Sequence, residues 1–128
     1  MQRVLIIDDQ LPVAKAISIA LEAEGFRVVI ADSGAVGLHK FDNSQFDVAI
    51  VDIYIPEMDG AKIIRALRER NPRLPIIAMS GVRFKETKRT ALDLLPMAPG
   101  FSDVICLQKP VRPAALIEAI QKAISIVA

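Results

Sequence analysis

The chain has one cysteine, Cys106, which leaves nothing to pair with internally. No basic flank followed by an apolar run opens it as a secretory signal would. A reducing, cytoplasmic setting is therefore expected. Neither sign of charge is in excess: 16 lysines and arginines stand against 15 aspartates and glutamates, so no net field draws the chain to nucleic acid or to an anionic membrane. Binding has to rest on specific contacts. Long apolar runs are missing too, because charges interrupt every candidate before the roughly 20 residues that a bilayer span needs. No repeat, linker or low-complexity segment is present. The only histidine, His39, is expected on an exposed helix face and is given no role.

What the chain does have is apolar residues in short blocks. At 128 residues and 52% hydrophobic content, residues 1–128 fit one domain, burying about two-thirds of the surface that the unfolded chain exposes. The blocks Val4–Ile7, Arg27–Ala31, Val48–Val51, Pro75–Met79 and Val104–Leu107 are continuous enough for strands covered on both faces. Helical spacing separates them. Val13, Ala16, Ile17, Ala20 and Leu21 lie between Pro12 and Gly25, and Val36, Leu38 and Phe41 follow a Ser33 cap. Ala61, Ile63, Ile64 and Leu67 form a stripe opposite Lys62, Arg65, Arg68 and Glu69. Phe84, Lys88, Ala91, Leu92 and Leu95 suggest a fourth helix, broken by Pro96, Pro99 and Gly100, and Arg112–Ile126 a fifth. Five strands alternating with five helices, joined by right-handed crossovers, predict a doubly wound parallel sheet.

Four of the five strands end on polar residues: Asp8 and Asp9, Asp52, Ser80, and Lys109 just past the last. In a parallel sheet these ends share one edge, where open α/β sheets bind ligands. Crowded carboxylates repel one another and call for a cation, and carboxylates with water suit a hard ion such as Mg²⁺. With that charge neutralised, the central Asp52 can attack a phosphoryl group to form an aspartyl phosphate. Lys109 supplies a compact positive charge and Ser80 a hydroxyl donor. Taken singly, Lys109 reads as a solvated lysine, Ser80 as a turn residue and Asp52 as a turn cap. Their joint position is what makes them a site.

These residues carry a resemblance to the receiver domains of bacterial two-component response regulators. The matching pieces are VLIIDD at Val4–Asp9, DIYIPEMDG at Asp52–Gly60, MSG at Met79–Gly81 and QKP at Gln108–Pro110, in the family's order over essentially the whole chain. The resemblance implies a flavodoxin-like strand order 2-1-3-4-5. It implies that Asp52 accepts a phosphoryl group from the histidine of a sensor kinase or of a histidine phosphotransfer protein. It also implies that Asp9 and Asp52 bind Mg²⁺ directly, that Asp8 acts through water, and that the Tyr54 backbone carbonyl completes the set. Ser80 and Lys109 would bind the phosphoryl oxygens. The outcome would be a switched contact with an output domain or downstream protein, with no direct nucleic-acid binding by the domain and no membrane. The only catalysis would be of its own phosphorylation and dephosphorylation.

Two departures from the family pattern stand out. Cys106 occupies the place, three residues before the lysine, where an aromatic switch usually stands, so readout would fall to the backbone after Ser80 or to Phe84 or Phe101. The stretch Gly81–Leu107 is long, and MAPG at Met97–Gly100 looks inserted on the surface that such domains use for dimerisation or output contacts. That predicts altered partner geometry, including that of a homodimer.

Rival functions fit less well. A haloacid-dehalogenase-type hydrolase would want an acid two residues after Asp52, where Tyr54 stands. In a flavin carrier, Asp8 and Asp9 would repel the phosphate. The stronger alternative is a receiver-like interaction module that works without phosphorylation. No output domain follows Ile126, so either a single-domain regulator or a receiver cut from a longer protein is expected.

Overall fold

The computed structural model describes residues 2–55, 58–80 and 103–127. Five parallel strands form the main sheet: β1 (Arg3–Ile7), β2 (Arg27–Ala31), β3 (Val48–Asp52), β6 (Ile76–Ser80) and β7 (Ile105–Gln108). Their spatial order is β2-β1-β3-β6-β7, which is the expected 2-1-3-4-5 for the five main strands. A short antiparallel pair, β4 (Tyr54–Ile55) and β5 (Met58–Asp59), occupies the turn after the central strand. Four helices are described: α1 (Leu11–Ala23), α2 (Gly34–Asp42), α3 (Gly60–Arg70) and α4 (Pro113–Val127). The helix expected around Phe84–Leu95 and the MAPG segment lie outside the described residues.

Alternation along the strands sorts the core onto two faces. Val4, Ile6, Val48, Ile50, Ile77 and Met79 pack against Ala14, Ile17 and Leu21 of α1 and Leu116, Ile120 and Ala123 of α4. Leu5, Ile7, Ala49, Val51, Ile76 and Ala78 face α3, with Leu38 and Phe41 of α2 at the margin. The central strands are buried on both sides, so β1 and β3 read as unbroken apolar runs. Gly37 lets α2 approach β1 closely, since a Cβ there would lie 2.5 Å from Ile7 Cδ1.

Two helix faces differ from expectation. On α1 the buried stripe is Ala14, Ile17, Ser18 and Leu21, while Val13 and Ala16 turn outward. Ser18 passes as an inward residue because its hydroxyl donates to Glu22 Oε1 at 3.1 Å one turn along. On α3, Arg68 is no solvated residue. Its Nε donates to the Leu74 carbonyl at 3.0 Å, and its Nη1 and Nη2 donate to both Asp103 oxygens at 3.2 and 2.9 Å. This guanidinium ties the end of α3 to the segments entering β6 and β7.

Candidate functional site

The candidate side chains are positioned by the ladder itself. Asp8 follows β1, and its backbone N–H donates to the Ala31 carbonyl at 3.0 Å, extending the β1–β2 pairing by one residue. Asp52 and Ser80 are the last residues of β3 and β6. Lys109 follows β7 with its N–H on the Ser80 carbonyl at 2.9 Å, and the peptide to Pro110 is cis. Parallel register therefore sets Asp8, Asp52, Ser80 and Lys109 along one edge of the sheet. Asp8, Asp52 and Ser80 are buried, whereas Asp9 is exposed.

Charge pairing follows from that burial, because an isolated buried carboxylate is costly. The Lys109 ammonium donates to Asp8 Oδ2 at 2.7 Å and to Asp52 Oδ2 at 3.0 Å. It also donates to Gln10 Oε1, at 3.1 Å. Gln10 in turn donates its backbone N–H to the other Asp8 oxygen at 2.9 Å. Burial pushes the Asp8 carboxyl above its ordinary value, although the hydrogen bonds from Lys109 and Gln10 pull the other way. For Lys109, burial works against the charge, but the hydrogen bonds to Asp8 and Asp52 outweigh it and raise its pKa.

One ammonium does not balance this edge. Asp8, Asp9 and Asp52 each bring a carboxylate oxygen within 4.8 Å of the others. Among the described residues, three anions against one cation leave an excess that a small divalent ion held by oxygen ligands would relieve, so the donor set fits a hard cation. The expected residues Asp8, Asp9, Asp52 and Lys109 thus converge, with Ser80 joined to Lys109 through its backbone. Tyr54 lies two residues past Asp52, in β4. Gln10 was not singled out from the sequence. Its only signal is its place between the acid pair and Pro12, where the cap of α1 falls.

The sequence matches the model of the response regulator receiver domain over residues 4–121. This chain belongs to that family. Receivers are signalling domains rather than classical enzymes, and they work with kinases and output domains. The acidic cluster is of the kind at which they bind a metal. The receiver is 38% identical over 90 residues to regulatory protein AtoC of Escherichia coli, covering 70% of this chain and 20% of AtoC. With the cell cycle response regulator CtrA of Brucella ovis it shares 33% over 86 residues, covering 67% of this chain and 37% of that protein. The chain therefore spans between a fifth and about two-fifths of these curated relatives. Among solved structures, a receiver domain protein from Clostridium thermocellum superposes with a TM-score of 0.82 at 28% identity, covering 98% of this chain and 96% of the other. No helix among the described residues is long and apolar enough to cross a membrane.

Proposed function

We propose that residues 1–128 form one phosphoacceptor domain in which Asp52 receives a phosphoryl group from the phosphohistidine of a sensor histidine kinase or of a histidine phosphotransfer protein. The observation that carries this reading is the Lys109 ammonium shared between Asp8 and Asp52 beside a third carboxylate. An Asp52 carboxylate oxygen forms the new P–O bond while the P–N bond of the donor breaks, and the electron pair leaves on the imidazole nitrogen. Lys109 gives the incoming oxygens a fixed positive charge, and Ser80 gives them a hydroxyl donor. Asp8, Asp9, Asp52 and the Tyr54 carbonyl would hold Mg²⁺, which supplies charge neutralisation for the transferring group. The chain catalyses only this transfer and the later hydrolysis.

The charge placed on Asp52 biases contact with an output domain, a downstream protein or a second copy, in the cytoplasm. Half-buried Cys106 packs against the α3 side of the core, so an aromatic rotation at that position is not the readout. The test is intact mass after incubation with acetyl phosphate and Mg²⁺. The parent gains one phosphoryl group, and the metal-free sample and Asp52→Asn gain none. No gain from acetyl phosphate or from phosphorylated histidine kinases would instead favour an interaction module that works without phosphate.

A further inference from the structure

An ammonium has three N–H donors, and at Lys109 three acceptors take them: Asp8 Oδ2, Asp52 Oδ2 and Gln10 Oε1. The resting lysine is saturated. A phosphoryl oxygen that is to bind Lys109 must therefore displace one of the three. Two are carboxylates of buried residues, which make the stronger charge-assisted bonds from both sides. The third is a neutral amide on an exposed residue, at the longest of the three distances. It is the contact that gives way at least cost.

Gln10 also forgoes another role. It stands at the N-cap of α1, where a Ser, Thr, Asp or Asn side chain would ordinarily accept a helix N–H, yet its side chain makes no cap bond. The side chain is spent on Lys109, while its backbone N–H holds Asp8 Oδ1. Gln10 thus closes a ring with Asp8 and Lys109.

Building on the phosphoacceptor reading, we propose that Gln10 is a positioning residue that latches Lys109 in the resting state, its amide oxygen occupying the lysine donor that the incoming phosphoryl group must take. Residue 10 then sets how readily the receiver is phosphorylated. Removing the amide frees the donor in advance. Replacing it with a carboxylate holds the lysine harder.

The test uses the full chain, with Gln10→Ala and Gln10→Glu beside the parent. It has two readouts: the rate of phosphoryl gain from acetyl phosphate at saturating Mg²⁺, and the nuclear magnetic resonance signal of the Lys109 ammonium. Because no side-chain cap bond is lost, Gln10→Ala folds as the parent does. Its rate rises about two- to tenfold, the ratio that one ordinary hydrogen bond represents, and its ammonium signal broadens through faster exchange with water. Gln10→Glu keeps the sharp signal and is slower than the parent. A Gln10→Ala rate equal to or below the parent's, or an ammonium signal that does not change, overturns the latch. If the parent takes no phosphate at all, the phosphoacceptor reading fails, and the ammonium signal alone then decides whether Gln10 holds Lys109.

Discussion

Two ion-paired clusters sit at opposite edges of the same sheet and are built on different terms. At the edge where the strands enter, Arg68 meets Asp103 with two parallel N–H···O bonds and spends its remaining reach on the Leu74 carbonyl. One cation faces one anion, and a planar fork fixes the geometry. At the edge where the strands leave, one lysine faces Asp8 and Asp52 directly, with Asp9 alongside. A point charge on a flexible stem serves several acceptors there, and among the described residues the negative charge is in excess. The first cluster is closed and holds the fold. The second is unbalanced and open to exchange, which is what a site receiving a cation and a phosphoryl group requires.

The largest effect on stability is expected at the closed cluster. Arg68→Met leaves Asp103 without its partner and the Leu74 carbonyl without its donor. Because both side chains keep some solvent access, the loss is about 2 kcal/mol, read as a lower urea midpoint. Phosphoryl gain by the folded variant stays as in the parent. A variant that kept its stability but lost phosphorylation would reverse the assignment of the two edges.

A smaller effect tests the excess charge at the other edge. Mg²⁺ at ten times its Kd should stabilise the parent by about 1.4 kcal/mol through mass action, and thermal unfolding reads the shift. Asp9→Asn removes one anion of the three without touching the Lys109 bonds, and the shift should shrink sharply. Equal stabilisation of both proteins would place the cation elsewhere.

The smallest effect concerns pH in the absence of metal. The Asp8 carboxyl binds its proton more tightly in the folded than in the unfolded chain, because burial raises its pKa. Folding stability therefore falls as pH rises from the ordinary carboxylate range through the raised value. Lys109 has the same sign in a higher window: with its pKa raised, its contribution is complete below the ordinary lysine value and is lost only at strongly alkaline pH. Asp8→Asn should flatten the acid-side slope and leave the alkaline one, as followed by denaturant midpoints across pH. A slope unchanged in Asp8→Asn would assign it to another group.

Much of this was legible in the residues because parallel strands report their own ends. Continuous apolar runs at Val4–Ile7 and Val48–Val51 could only be central strands, so the acids that stop them had to share an edge, and Ser80 and Lys109 joined them by the same register. Spacing alone did not resolve what depends on a partner outside the element. Ser18 turns inward because Glu22 satisfies it one turn away, which shifts the α1 stripe by one position. Arg68 sits at a solvent-facing place in the helical pattern, but its long side chain reaches a carbonyl six residues on and a carboxylate 35 residues on. Gln10 occupies a cap position whose side chain answers to Lys109, a residue 99 positions away.

The most direct test of the account is to trap the phosphorylated receiver with borohydride, which reduces an acyl phosphate to an alcohol, and to map the product by peptide mass. The account predicts homoserine at position 52 alone, dependent on Mg²⁺. Homoserine at Asp8 or Asp9, or a phosphoryl group retained on another residue type, would contradict it.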